Sequence, residues 1–142
     1  MLNKKPTLII ICGLFLLLDQ FLKWQALHDW QSPVLPHKFF GWYPFLNSGM
    51  AFSLPAPNWL VAVFSLPIIG LIYYLSRSMY QTGKFKQAWG LALILSGALS
   101  NLIDRIAYQK TVDYIRFFTG VVNVADLLII IGLVLCLSGG YK

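Results

Sequence analysis

The chain has 142 residues and a net charge of +6; 58% of its residues are hydrophobic and only 11% are charged. A soluble domain carries roughly twice that charged fraction, so these values argue against a water-soluble enzyme; the length allows one domain, and the distribution of the apolar runs rather than their sum makes it an integral membrane one. The eleven Lys and Arg are scattered between apolar runs rather than gathered into a basic stripe with interleaved aromatics, which argues against a nucleic-acid partner.

In chain order, Lys4 and Lys5 precede a first apolar run from Thr7 to Leu27. Two lysines before an apolar run also suit a cleaved signal peptide, and Cys12 suits a lipoprotein signal. The residue before Cys12 is Ile11 rather than a small one, and the run continues past it, so an uncleaved first span is expected. A long loop from His28 to Pro57 follows, holding most of the prolines. Its segment HKFFGWYPFLNSGMAFSL, with turn residues at Gly41, Pro44 and Ser48-Gly49, predicts short strands and turns on the membrane surface. His28 and His37 are lone histidines expected to be solvated.

The second span is expected over Asn58–Ser76, with Pro67 inside it, and the third over Ala88–Ile103. The stretch TVDYIRFF alternates and is rich in β-branched and aromatic residues, which predicts an extended segment at the interface. The fourth span is expected over Val121–Ser138. Trp24, Trp59, Tyr73, Tyr74 and Trp89 sit near span ends as interface anchors. Lys4, Lys5, Arg77, Lys84, Lys86 and Lys142 fall on one side of a four-span chain, which predicts cytoplasmic termini; the opposing loops carry Lys38, Arg105, Lys110 and Arg116. Cys12 and Cys136 lie inside apolar runs and read as small hydrophobes, and no metal-ligand spacing is seen.

All five acidic residues are aspartates: Asp19, Asp29, Asp104, Asp113 and Asp126. A carboxylate at the bilayer centre costs about 2.5 to 3.5 kcal/mol on insertion scales, so each needs a partner, a wet cavity or a task. With four spans, Asp19, Asp104, Asp113 and Asp126 collect at one depth near the outer surface. Asp19 and Lys23 are four apart and suit a structural pair on one helix face. Asp104 and Arg105, with Asn101 one turn back, suit a polar network tying helices together, beside a close-packing face at Ser96, Gly97, Ala98 and Ser100. Asp113 and Asp126 have no basic residue at a spacing that forces a pair, although Arg116 is three from Asp113; Asn123 is a candidate N-cap for Asp126. They are either an unrelated surface residue and cap residue, or a carboxylate pair. Two carboxylates about 3 Å apart share one proton, and such a pair activates water against a peptide bond.

Five blocks in order, DQFLK (19–23), NSGMAFS (47–53), SGALSNLIDR (96–105), VDYI (112–115) and NVAD (123–126), resemble those of the lipoprotein signal peptidases, the signal peptidase II family. The resemblance implies an aspartyl endopeptidase of the bacterial inner membrane, acting near the periplasmic face on diacylglyceryl-modified prolipoproteins just before the lipidated cysteine. It implies an all-α membrane protein of four transmembrane helices with a small β-cradle from the first external loop, monomeric, and without cofactor or metal. It puts the catalytic pair on Asp113 and Asp126, and supporting roles on Asp19, Lys23, Asn47, Gly97, Asn101, Asp104, Arg105 and Asn123. Ser96 and Ser100 replace glycines of the family pattern, and Val122 stands where an aromatic often precedes the NxAD block. From a different class, a small proton-coupled transporter using the same acids as a relay is the alternative expectation.

Overall fold

A computed structural model describes residues 4–28, 39–49 and 57–139. The chain order is α1 (Lys4–His28), β1 (Phe40–Asn47), α2 (Asn58–Gln81), α3 (Phe85–Tyr108), β2 (Thr111–Phe117), β3 (Gly120–Val122) and α4 (Val124–Ser138). Thr7–His28, Asn58–Gln81 and Phe85–Tyr108 are long and apolar enough to cross a membrane; α4 is also apolar but has 15 residues. At 1.5 Å per residue, α4 spans about 22 Å against a hydrocarbon core of about 30 Å.

The burial pattern is inverted relative to a soluble protein. Ile9, Leu17, Phe64, Leu71 and Ile130 face outward, whereas Asp19, Lys23, Asp104, Asp113 and Asn123 are buried. The outer surface is built for lipid, and the inside is free to hold polar groups. α3 is central, packed on α1, α2 and α4. Small residues let α4 approach it: a Cβ at Gly90 would lie 2.6 Å from the Gly132 carbonyl oxygen, and one at Gly97 would collide with the Ala125 carbonyl oxygen. α2 and α3 are joined at Thr82–Lys84, where Gly83 takes φ +76°, a left-handed conformation favourable to glycine. α2 continues through Pro67.

The three strands form one antiparallel sheet in the order β1-β2-β3. Asn47 pairs with Thr111 and Phe45 with Asp113, with a bulge between Trp42 and Phe45, and Ile115 pairs with Val122 across the β2–β3 hairpin. The expected extended segment TVDYIRFF is β2 and its continuation. The sheet is not drawn from the first loop alone: β1 comes from there, and the connection between α3 and α4 supplies the other two strands. This matters for the site, because β2 carries Asp113. Trp42 of β1 stacks on the buried Tyr114 of β2 at 5.7 Å, in an apolar cluster with Ala26 and Val112 that seats the sheet on α1. His28 stacks on Trp24; Asp29, His37, Lys38, Lys142 and most of the NSGMAFS block after Gly49 lie outside the described residues.

Candidate active site

Asp113 is placed by β2 and is 2% exposed. Asn47, at the end of the paired strand, donates from Nδ2 to Asp113 Oδ2 at 3.1 Å, and its own Oδ1 accepts the Gly49 N–H at 3.0 Å, an Asx turn that fixes the amide. Asp126 is placed by the start of α4. Asn123 is the N-cap: its Oδ1 accepts the Asp126 N–H at 2.9 Å, and Asp126 Oδ2 accepts the Asn123 N–H at 3.3 Å. This reciprocal capping box satisfies two helix-end donors and locks the Asp126 side chain. The same Asn123 side chain donates to Asp113 Oδ1 at 2.7 Å. One asparagine therefore touches both acids. Asn101 of α3 donates to Asp126 Oδ1 at 2.9 Å, while its Oδ1 accepts from Asn123 at 3.2 Å and from Lys23 at 2.9 Å.

Among the described residues, Asp113 and Asp126 bond only to amide N–H groups; neither has a cation at ion-pair distance, and neither bonds the other. The two acids are thus neighbours linked by Asn123 rather than a directly hydrogen-bonded couple. Each carboxylate oxygen keeps an unused lone pair. Burial, and then the Asp126 charge, push the Asp113 carboxyl from its usual 3.8 up to about 6, against the opposing pull of the Asn47 and Asn123 amides and the Lys23 charge. A carboxyl at about 6 both holds and releases a proton near neutral pH.

Beside this pair lies a second polar layer. Lys23 Nζ is 2.8 Å from Asp19 Oδ2 and 2.7 Å from Asp104 Oδ2, and all three side chains are buried. The expected i, i+4 pair on α1 exists, but it is part of a triad that reaches α3. Every remaining oxygen is used. Asp19 Oδ1 accepts the Tyr114 hydroxyl at 2.8 Å and the Ala125 N–H at 3.2 Å, and Asp19 Oδ2 accepts the Ser100 hydroxyl at 2.6 Å. Asp104 Oδ1 accepts from Gln20 at 2.9 Å, and Asp104 Oδ2 accepts the Val112 N–H at 3.1 Å. The triad thus fastens α1, α3, β2 and α4, the elements around the acids. A buried ion pair adds little net stability over an apolar core, but breaking it is expensive, so its effect is to hold one geometry.

Arg105 lies within electrostatic reach of Asp113 but forms no hydrogen bond or ion pair with the acids among the described residues. Its guanidinium donates to the Gly49 carbonyl at 2.7 Å, to Thr111 Oγ1 at 3.1 Å and to Asn58 Oδ1 at 3.2 Å, joining the end of β1, the start of β2 and the head of α2. Arg116 lies over the Tyr43 ring at 4.6 Å. Gly97 contributes space, letting Ala125, the residue before Asp126, pack on α3. Asp113, Asp126, Asn47, Asn101 and Asn123 are therefore brought into one cluster. Asp19, Lys23 and Asp104 lie beside it, and Arg105 and Gly97 act from outside it.

Three polar partners were not among the expected site residues. Gln20 donates to Ser100 and Asp104; Ser100 stands between Gln20, Lys23 and Asp19; Tyr114 donates to Asp19 and accepts the Val124 N–H at 3.2 Å. Alternation along β2 puts Tyr114 on the opposite face from Asp113, which is a readable signal, but its partner on α1 is 95 residues away.

Comparison with known proteins agrees with this architecture. Residues 11–140 match the family model of signal peptidase (SPase) II. The lipoprotein signal peptidase of Bartonella quintana (strain Toulouse) is 33% identical over 94% of this chain and 86% of its own length. That of Listeria monocytogenes serotype 4a (strain HCC23) is 34% identical over 84% of this chain and 83% of its own. Two solved structures of a bacterial membrane enzyme, obtained by the in meso method at 2.3 and 1.9 Å, share the fold with TM-scores of 0.78 and 0.77 at 23% identity, covering 94% and 96% of this chain and 86% and 94% of theirs. The transporter alternative finds no support among these relatives. With its family model matched over nearly the whole length and a polar site enclosed by apolar helices, the chain belongs to the signal peptidase II family of peptidases.

Proposed function

We propose that the chain is an aspartyl endopeptidase that removes signal peptides from diacylglyceryl-modified prolipoproteins, cutting before the lipidated cysteine with Asp113 and Asp126 as the catalytic pair. The observation that carries this reading is the held pair itself: two buried carboxyls from separate elements, linked by Asn123, without a cation on either among the described residues, one of them pushed up to about 6.

Chemically, the ionised carboxylate takes a proton from water as the water oxygen bonds to the scissile carbonyl carbon. The protonated partner donates to the carbonyl oxygen, giving a neutral tetrahedral diol. Its collapse breaks the C–N bond, with the proton going to the departing amine, and leaves a signal-peptide carboxylate and a free cysteine amine. Asn101 and Asn123 keep the acids oriented throughout. No covalent intermediate on the enzyme is needed.

In this reading α4 is a fourth span, with the β2–β3 hairpin at its head, and the acids lie near the periplasmic face with both termini cytoplasmic. The lipid on the cysteine holds the scissile bond at that depth, which explains why the carboxylates sit at the edge of the apolar helices. In this reading the chain acts as a monomer. The test is cleavage of a prolipoprotein in its lipid-modified and unmodified forms by the purified chain in detergent, with the new N-terminus sequenced. Cleavage before cysteine in the modified form alone supports the proposal; cleavage at another bond, or equal cleavage of both forms, removes the substrate assignment.

A further inference from the structure

Away from the acids, a groove of about 530 Å³ opens between α1 and α2 over α3. Its floor is apolar, with Cys12, Leu16, Leu95 and Leu99, and one end carries Tyr73, Arg77 and Tyr80. It is remote from the site just described. Asn58, at the first turn of α2, bonds Arg105 beside the acids, whereas Arg77 is 19 residues further along the helix, about 28 Å away.

Arg77 is exposed and without an anionic partner among the described residues. The chain has no glutamate, and all four described aspartates, Asp19, Asp104, Asp113 and Asp126, are gathered at the acid site. The two tyrosines flank the guanidinium on the same helix face, at four and three residues, as residues at a membrane–water boundary do. The feature is therefore an unpaired cation at the lip of an apolar trough, and its complement is an anion with a long apolar tail.

We propose that this groove binds one phospholipid with an anionic headgroup, the phosphate at Arg77 and an acyl chain along Leu16, Leu95 and Leu99. A signal segment fits less well, because its basic leading region would be repelled by Arg77.

The site is separable by substitution. A Cβ at Gly13, which lines the groove, meets nothing within 4 Å, so Gly13→Leu fills the trough without disturbing the helices. Arg77→Gln removes the charge at an exposed position. The full chain in uncharged detergent is titrated with dioleoylphosphatidylglycerol and with dioleoylphosphatidylcholine, reading bound lipid by native mass spectrometry. Wild type is expected to bind the phosphatidylglycerol about tenfold more tightly, because both lipids offer a phosphate to Arg77 but only the phosphatidylglycerol carries a net negative charge, its rival bringing a cationic choline up to the guanidinium. Arg77→Gln should erase that preference and Gly13→Leu should weaken both lipids, with circular dichroism unchanged. Inorganic phosphate should not displace the lipid. Equal affinity for the two lipids, an undiminished preference in Arg77→Gln, displacement by phosphate, or displacement by a synthetic signal peptide each overturns the proposal. None of these readouts depends on peptide cleavage.

Discussion

Asp113 decides the acid–base behaviour of the proposed pair. Its carboxyl binds a proton more tightly in the folded chain, at about 6, than the usual 3.8 of a free aspartate. The stability this contributes is present below about pH 4 and is lost as pH rises through 6. Asp113→Asn has no such loss, so at pH 7 to 8 it is expected to be more stable than wild type, by on the order of 1 kcal/mol after its altered amide contacts are allowed for, with the gap closing below pH 4. Thermal unfolding of both proteins across this range measures it. The same carboxyl sets a descending limb in kcat/KM near pH 6 if the pair works with a single proton. Asn47→Ala deletes the N–H that favours the charged form, so that limb should move to higher pH. A limb that stays or moves down contradicts the assignment of Asp113. The acids stand out in the sequence because an unpaired carboxyl beside an apolar run is expensive, but their spacing leaves open whether they meet, and only the family resemblance pairs them. The amide lattice was only partly legible: Asn123 announces itself as a cap three residues before Asp126, whereas the hold of Asn47 on Asp113 depends on the register of β1 against β2.

The helices and strands act as the frame that sets the distance between those acids. α4 reaches its place only because α3 offers glycine at positions 90 and 97. Gly97→Ala directs a methyl group at the Ala125 carbonyl and Ile129, so α4 must move outward; an overpacking cost of about 1 to 3 kcal/mol and a fall in cleavage rate are expected, both measurable on the one variant. Lys23→Met leaves two buried carboxylates without their cation and should cost about 3 to 5 kcal/mol, enough to lose folded protein on purification, whereas Asp19→Asn should lower stability without abolishing cleavage. The apolar runs predicted the helices well, with ends differing by several residues: the third run, read as Ala88–Ile103, is a helix from Phe85 to Tyr108. Amphipathic ends such as Phe85-Lys86-Gln87 and Arg105–Tyr108 carry too little hydrophobicity to be seen as part of a span. The β-segment TVDYIRFF was legible from its alternation, but its pairing with β1 was not, since 64 residues separate Asn47 from Thr111.

Taken whole, the molecule turns many large apolar side chains outward and buries a polar cluster, in keeping with the membrane class that the distribution of its apolar runs pointed to. That inversion also explains the density of hydrogen bonds around the triad: with no water available, every buried donor and acceptor must find a partner within the chain, and no buried side-chain N or O among the described residues lacks one. At Asp113 and Asp126 each oxygen accepts one N–H and no cation is paired among the described residues, and that is where a water and a peptide are proposed to enter. The most direct measurement is the rate at which wild type, Asp113→Asn and Asp126→Asn release the signal peptide from a diacylglyceryl-modified prolipoprotein in detergent, each variant first shown to be folded. The carboxylate-pair account predicts cleavage by wild type and a loss of about 10³-fold or more in each variant. Turnover near the wild-type rate in either one would contradict it.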